Sequence, residues 1–280
     1  MPRWFTGELI GTFLLVFFGC GSVATAVALD APVGLFQVAI VWGLGLSAAI
    51  FVTGGLSGAH LNPAITLAFV FVRGFPKSRV PGYFVSQFLG AFAAAVMVFV
   101  LFGGGIQRFE YQNGIQRGQP GSEASAMIFG EYFPNPGGKS LTADQRQLVP
   151  HWRACVAEFF GTALLALAIF GFTARGNDGG PGAITPLAIG FTLTTLICIF
   201  APLSMAGFNP ARDLAPRFFS SLAGWGSIPF TTNGIGWLTV YVLSPCFGAI
   251  VGAAIGDSIY RPARVEGQIE AGEAHPGPST

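Results

Sequence analysis

A short motif occurs twice in this chain, and each copy begins an apolar stretch that is too short to cross a bilayer. The motif is asparagine, proline and alanine, at Asn62-Pro63-Ala64 and again at Asn209-Pro210-Ala211. Asparagine is a favoured helix N-cap and proline suits the first helical turn, so each copy predicts the start of a helix. Residues 62–72 and 209–219 supply about eleven residues each, or about 17 Å of helix at 1.5 Å per residue. Each predicted helix therefore covers about half of a hydrocarbon core that is about 30 Å thick.

Six longer apolar stretches supply full membrane spans. A core of that thickness needs roughly twenty residues of helix, and six stretches meet this length. The composition agrees, since 52% of the residues are hydrophobic and only 10% are charged. The prediction is an all-α membrane protein with six transmembrane helices and two re-entrant half-helices. The predicted spans are 5–27, 33–53, 82–104, 152–173, 183–203 and 236–260.

The two motifs belong to a longer internal repeat. Glu8 precedes Gly11-Thr12 with the same spacing by which Glu158 precedes Gly161-Thr162. From this glutamate to the motif asparagine is 54 residues in the first copy (62 − 8) and 51 in the second (209 − 158). Three spans separate the copies, so the second copy enters the membrane in the opposite orientation. The result is an inverted repeat, in which the functional site is expected at the membrane midplane. We expect one transmembrane domain over residues 1–260, with repeats at 5–104 and 152–260 joined by a loop at 105–151.

Positive charge is concentrated in the short loops on the side that holds both chain ends. Such loops usually face the cytoplasm, so we expect a multi-pass protein of the plasma (cell inner) membrane with both termini cytoplasmic. The long loop would lie outside, either shaping a vestibule or serving as a solvated connector. The tail at 261–280, rich in glycine, proline and glutamate, is predicted to be disordered. The charged residues are Arg3, Arg73, Lys77, Arg79, Arg175, Arg261 and Arg264.

Three charged residues lie deep in apolar segments, where an unpaired charge costs several kcal/mol. Arg212 directly follows the second motif and is expected to line a watery passage, the alternative being an ion pair with Asp213. Glu8 and Glu158 need partners of their own. Two half-helices that meet at the midplane create a positive potential, which repels protons and cations. Each motif asparagine is either an ordinary N-cap or a pore residue whose amide is free to donate to a passing hydroxyl or water.

The segments before each motif enter the membrane as irregular small-residue backbone. Such backbone is tolerated only where it is buried or lines a cavity, so its carbonyls are expected to form a ladder of hydrogen-bond acceptors. No partner ligands accompany the histidine of the first segment, which favours a structural role beside a pore over metal binding. The ladder residues are Gly58, Ala59, His60, Met205 and Gly207.

The paired motifs within this inverted repeat resemble the signatures of the aquaporin superfamily, and the similarity covers about residues 5–260. Asp213 directly after Arg212, Arg217 four residues later and the run Gly224-Trp225-Gly226 are similar to the glycerol-conducting branch. The resemblance implies a channel that assembles as a homotetramer with a pore in each subunit. It also implies that glutamates in the positions of Glu8 and Glu158 brace the re-entrant loops, although solute binding or proton relay is the alternative.

The resemblance further implies a narrow selectivity constriction. Trp42 lies 20 residues before Asn62 (62 − 42), where glycerol channels place a tryptophan, although an interfacial tryptophan is the alternative. Arg212 would donate hydrogen bonds to solute hydroxyls and repel cations, as is established for aquaporin-type pores. Two positions depart from bacterial glycerol facilitators, with Ile197 in place of glycine and Ala206 in place of phenylalanine. This set of four resembles nodulin-like plant channels, which pass glycerol and, in several members, metalloid acids such as arsenous acid.

The functional prediction is a passive channel for glycerol and other small uncharged solutes, water included, that excludes ions and protons. One alternative is a nodulin-like channel for metalloid acids, and another is a secondary transporter with a coupling site at Glu8 or Glu158. Expected partners are the solutes, the lipid bilayer and further copies of the chain. A net charge of +1 gives no basic field for nucleic acid. No nucleophile and base pair or metal cluster is evident, so neither enzyme activity nor a cofactor is expected.

Overall fold

The computed structural model describes residues 1–29 and 31–260. The predicted disordered tail at 261–280 lies outside these described residues. Six helices are long and apolar enough to cross a membrane, which confirms the predicted fold class. The principal helices are α1 (Arg3–Ala28), α2 (Leu35–Ser57), α3 (Pro63–Arg73), α4 (Val80–Gln112), α5 (His151–Phe172), α6 (Thr185–Ser204), α7 (Pro210–Ser220) and α8 (Gly236–Ser258).

The two half-helices, α3 and α7, form where the motifs predicted them. Each has 11 residues and begins at the proline that follows the motif asparagine. α3 ends at Gly74, whose left-handed φ of 68° is a conformation that glycine adopts without steric cost. Local capping signals therefore account for both half-helices.

The helix α4 is longer than predicted. The expected span ended at residue 104, whereas the helix continues to Gln112 and has 33 residues. The extension is polar, so a criterion of apolar length cannot detect it. Ile106 and Glu110 in this extension are buried, and the hydroxyl of Ser125 in the long loop donates to Glu110 over 2.8 Å. The extension thus forms a wall for the loop outside the apolar part of the bundle.

The two repeats are interlocked. α1 packs on α4 in the first repeat as α5 packs on α8 in the second, and α2 crosses α6 between them. Each half-helix leaves its own repeat, since α3 packs mainly on α8 and α7 mainly on α4. Neither repeat therefore encloses its own half-helix.

The crossing of α2 and α6 depends on two glycines at equivalent positions. Gly43 and Gly190 each lie 19 residues before their motif asparagines (62 − 43 and 209 − 190). A Cβ on Gly43 would lie 2.4 Å from the carbonyl oxygen of Gly190, and a Cβ on Gly190 would lie 2.3 Å from that of Gly43. These distances are far inside van der Waals contact, so the backbones of α2 and α6 touch at this crossing.

Replacing Gly190 by alanine is expected to destabilise the protein. The new methyl would collide with backbone that cannot rotate away, and overpacking of this kind costs about 1–3 kcal/mol. We expect the thermal unfolding midpoint in detergent to fall by roughly 5 °C. Gly55→Ala in α2 is the control, since a Cβ there meets nothing within 4 Å. Equal midpoints for the two variants would contradict the assigned crossing.

The last span is distorted where it passes the second motif. Residues Thr239–Leu243 form a π turn immediately before the Ser244-Pro245 step. Proline lacks an N–H group and cannot complete the hydrogen bond to the residue four positions earlier, which favours a local widening of the helix. The widened turn directs the Tyr241 hydroxyl to the carbonyl of Ser204, at 3.1 Å. α8 thereby holds the end of α6.

The long loop is folded into the protein rather than being a solvated connector. Residues 122–134 are all buried. Phe129 packs with Phe219 and Trp225, with ring centroids 5.5 Å apart in both pairs. We call the face of the bundle that carries this loop the loop side and the opposite face the terminal side. The loop therefore borders the approach to the centre of the bundle from the loop side.

Candidate functional site

Both segments that precede the motifs have a rare backbone conformation. In the described part of the chain, all the non-glycine residues with positive φ lie in these two segments, namely Ala59, Leu61, Met205, Ala206 and Phe208. Such conformations cost of order 1–3 kcal/mol each and persist only where the surroundings enforce them. Something must therefore hold each segment in place.

Glu8 holds the first segment. Its carboxylate accepts hydrogen bonds from the backbone N–H groups of His60, at 2.9 Å, and Leu61, at 2.7 Å. The side chain of Gln87 donates to the same carboxylate over 2.8 Å. Three donors satisfy this fully buried carboxylate, which explains how an acid is tolerated inside a span.

Glu158 holds the second segment by the same arrangement. It accepts from the backbone N–H groups of Gly207, at 2.9 Å, and Phe208, at 2.7 Å, and from the hydroxyl of Ser204. These contacts consume the N–H groups of the segment. On the opposite edge of the backbone, the carbonyls of Met205, Ala206 and Gly207 accept no hydrogen bond from the described residues.

The free carbonyls face a cavity. Within the described residues, no protein group donates to the carbonyls of residues 58–60 or 205–207. All six residues line a cavity of about 220 Å³ that runs from the terminal side past both motifs to Arg212. The opposite lining is aliphatic, with Leu15, Ile65, Leu165, Ile189 and Leu193 among its members. The cavity thus has a polar face and an apolar face.

His60 lies beside this cavity in an aromatic cluster. Its ring stacks on Phe69, with centroids 4.4 Å apart, and its Nδ1 lies 3.2 Å from the hydroxyl of Thr66. Phe75 and Tyr83 pack around the same ring. The imidazole therefore has packing and hydrogen-bonding partners that fix its position in the wall.

The motif asparagines cap the half-helices and also join the two repeats. Asn62 accepts from the N–H of Ala64, at 2.9 Å, and donates to the carbonyl of Phe208, at 2.8 Å. Asn209 accepts from Ala211 and Arg212, at 3.0 and 3.2 Å, and donates to the carbonyl of Leu61, at 2.8 Å. One of the two N–H groups of each amide therefore binds the opposite segment. One N–H group per asparagine remains for a solute.

At the predicted constriction, the cavity meets a second cavity of about 240 Å³ on the loop side. Four residues line both cavities: Trp42, Ile197, Met205 and Arg212. The guanidinium carbon of Arg212 lies 4.3 Å from the centroid of the Trp42 ring, a cation–π contact that fixes both groups. Ala206 lines only the cavity on the terminal side, whereas the Met205 side chain lies at the junction.

Asp213 and Arg217 form an ion pair that anchors the long loop. Nε and NH2 of Arg217 donate to the Asp213 carboxylate over 2.9 and 2.8 Å, and Asp213 also accepts from the N–H of Glu131, at 2.7 Å. Arg217 additionally donates to the carbonyls of Glu131 and Pro229. The alternative pairing of Asp213 with Arg212 is thus not formed.

The partner of Arg212 is Glu131 of the long loop, a residue that the sequence analysis missed. NH2 of Arg212 forms an ion pair with the Glu131 carboxylate, and NH1 lies 3.5 Å from the carbonyl of Phe129. Burial raises the pKa of Glu131 above its usual range, and the guanidinium of Arg212 opposes this shift. An acid among aromatic residues, in Phe129-Gly-Glu-Tyr-Phe133, was the available signal of a buried carboxylate.

Two half-helices that meet inside a six-span bundle, beside a cavity that passes both of their N-termini, define a membrane pore protein. The chain belongs to the major intrinsic protein family, which it matches over residues 2–260. Members of this family are passive channels rather than enzymes, and the inverted repeat with two half-helices is the fold that this family shares.

Relatives and a solved structure agree with this assignment. A glycerol uptake facilitator protein of Pseudomonas aeruginosa is 39% identical over 254 residues, covering 91% of this chain and 86% of the relative. A propanediol uptake facilitator of Salmonella typhimurium is 36% identical over 249 residues, covering 89% and 90%. The X-ray structure of the aquaglyceroporin from Plasmodium falciparum matches with a TM-score of 0.76 and 26% identity, covering 92% of this chain and 96% of that chain.

Proposed function

We propose that this chain is a passive channel for glycerol and other small uncharged solutes, water included. The observation that carries the proposal is the two-faced cavity, with free carbonyls on one face and aliphatic side chains on the other. A polyol has hydroxyls along one edge and C–H groups along the other, so it fits such a path without losing hydrogen bonds on entry. The uptake facilitators for glycerol and propanediol among the relatives support the same solute class.

The role of each site residue follows from its place along the cavity. The carbonyls of Gly58, Ala59, His60, Met205 and Gly207 accept from solute hydroxyls, and the remaining amide N–H groups of Asn62 and Asn209 donate to them at the midplane. Trp42, Ile197, Met205 and Arg212 set the size and polarity of the opening. Ala206 borders the path on its terminal side, and Glu8 and Glu158 hold the loops. Asp213 and Arg217 keep the long loop beside the constriction.

Exclusion of ions follows from the same geometry. The positive ends of α3 and α7 and the donor groups of both asparagines face the midplane of the path, so a cation meets repulsion where it would be desolvated. The same donor groups at the midplane would oppose the passage of a proton along a file of waters.

Proteoliposomes with the purified chain test the proposal. We expect stopped-flow light scattering to report glycerol entry well above that of protein-free vesicles, and planar bilayers to carry no ionic current above background. Water flux without glycerol flux would overturn the proposed solute class. Sizeable currents would overturn the proposed ion exclusion.

A metalloid acid such as arsenous acid is the second candidate solute. The observation in its favour is the constriction, where Ile197 and Ala206 stand in place of the glycine and phenylalanine of bacterial glycerol facilitators. Arsenous acid is uncharged at neutral pH and carries three hydroxyls, so it presents the same donors as a small polyol. The same vesicles, challenged with arsenous acid, decide whether it enters as fast as glycerol.

We further propose one channel domain over residues 1–260, placed in the plasma (cell inner) membrane with both termini cytoplasmic and the loop side outward. The concentration of arginine and lysine in short loops on the terminal side supports this orientation. We also propose a homotetramer with a pore in each subunit. Native mass spectrometry in mild detergent is expected to give four times the chain mass of 29.3 kDa, and a monomer alone would contradict the proposed assembly.

A further inference from the structure

Glu131 is a buried residue of the long loop that borders the loop-side cavity beside Arg212. Its side chain is fully buried, and its Cγ lies close to Gly207 of the second re-entrant segment. Within the described ranges, no hydrogen bond reaches either carboxylate oxygen, and the guanidinium of Arg212 is the cation in contact with it. The backbone of Glu131 is fixed separately, by Asp213 at its N–H and Arg217 at its carbonyl. The loop thus places the carboxylate of Glu131 against the guanidinium of Arg212.

The other charged groups near this pair have partners of their own. On α7, Asp213 and Arg217 form their own ion pair. On α5, Glu158 is occupied by the second re-entrant segment. The remaining titratable groups that face Glu131 are uncharged in their ordinary forms, namely Tyr132 of the loop, Tyr241 of α8 and Cys20 of α1 beside Arg212. The net charge at the constriction therefore depends on the ionisation of Glu131.

We propose that Glu131 is a specificity-determining residue that supplies the counter-charge of Arg212, so that the constriction selects solutes by hydrogen bonding and offers no net attraction to anions. The inference rests on the proposed channel function. Both half-helix N-termini are positive as well, so a lone guanidinium in this path would favour small anions. With the carboxylate ionised, Arg212 keeps its donors while its charge is compensated. With the carboxyl protonated or replaced, the constriction gains one positive charge.

Competition by a small anion during glycerol flux tests the proposal. Glycerol flux into proteoliposomes is measured in potassium nitrate and, at equal ionic strength, in potassium gluconate, whose anion is too large for the path. For Glu131→Gln we expect flux in nitrate to fall at least about threefold below flux in gluconate, at every pH. For the unmodified chain we expect the two fluxes to be equal at high pH. Nitrate inhibition should then develop as the pH is lowered and the carboxyl takes up a proton.

Three further variants separate this role from a merely structural one. Glu123→Gln removes a buried carboxylate of the same loop that pairs with Arg146, and it should follow the unmodified chain. Glu131→Asp keeps the charge and should retain the pH-dependent profile, even if glycerol flux is lower. Combining Glu131→Gln with Arg212→Leu should abolish the nitrate effect, because the carboxylate acts through the guanidinium.

The outcomes are distinguishable. If the unmodified chain shows no glycerol flux in gluconate, the proposed function is refuted. The inference is then tested by thermal unfolding: nitrate should raise the unfolding midpoint of Glu131→Gln more than that of the unmodified chain. A second outcome would overturn the inference and leave the proposed function intact. In it, glycerol flux is normal, and the ratio of flux in nitrate to flux in gluconate is the same for Glu131→Gln and the unmodified chain at every pH. If Glu131→Gln does not fold, the unmodified chain still tests the inference. A ratio of flux in nitrate to flux in gluconate that does not change with pH would overturn the inference.

Discussion

Replacing Asn209 by aspartate is expected to lower glycerol flux by at least about tenfold, or to prevent folding. The new carboxylate can still cap α7, because Oδ1 accepts from Ala211 and Arg212 in the native chain. It cannot donate to the carbonyl of Leu61, which the amide reaches over 2.8 Å. A negative oxygen would instead face a carbonyl oxygen at the centre of the bundle, and a buried unpaired charge costs several kcal/mol.

The control for this variant is Asn113→Asp. Asn113 also donates its amide to a backbone carbonyl, that of Phe109 at 2.9 Å, but the contact is exposed at the end of α4. Its loss should leave flux, yield and the unfolding midpoint close to those of the native chain. Size-exclusion chromatography and stopped-flow flux at matched protein density measure both variants. Normal folding and normal flux in Asn209→Asp would contradict the assigned role of the motif.

Replacing Ala206 by phenylalanine is expected to reduce glycerol flux about tenfold while reducing water flux much less. The methyl of Ala206 borders the cavity just on the terminal side of Trp42 and Arg212. A ring at this position would occupy space that a polyol needs and a water molecule does not. Differences of a few heavy atoms in an apolar site are worth about 1–3 kcal/mol, or roughly 10–200-fold. Larger polyols and arsenous acid should be affected more strongly than water.

The backbone at residue 206 makes a matched control necessary. Ala206 has a φ of 60°, so any larger side chain there adds strain as well as bulk. Ala93→Phe adds the same ring at an exposed position of α4, away from the cavity. We measure the ratio of glycerol to water permeability in each variant and in the native chain. An unchanged ratio in Ala206→Phe would remove this residue from the proposed filter.

The sequence predicted the parts of the fold that depend on local signals. Asparagine followed by proline sets the start of α3 and α7, and apolar length sets the six spans, so these elements appear where expected. The end of α4 was missed because it is polar and is stabilised by the long loop, whose Ser125 donates to Glu110. No local pattern records such a contact.

The same distinction between local signals and tertiary contacts applies to the candidate site. The motif and repeat placed Asn62 and Asn209 at equivalent positions, but the hydrogen bonds that join them to the opposite segments are tertiary contacts that the sequence did not predict. The sequence analysis recognised Arg212 as a charge in an apolar segment that needs a watery passage or an ion-pair partner. Its partner Glu131 lies 81 residues earlier (212 − 131), in a loop without a repeat equivalent. Only the folded structure brings the two together.

The mutual hydrogen bonds of the two motif asparagines have a mechanical consequence. Transporters built from inverted repeats work by alternating access, in which one half of the protein rocks against the other around a fixed site. Here each half is fastened to the other at that site, through Asn62 to Phe208 and Asn209 to Leu61, and each half-helix is clasped by the opposite repeat. Rocking would have to break both bonds and pull each half-helix away from the repeat that it packs against. The halves therefore stand still while solutes move, so flux should rise in proportion to the concentration difference without a turnover step to limit it.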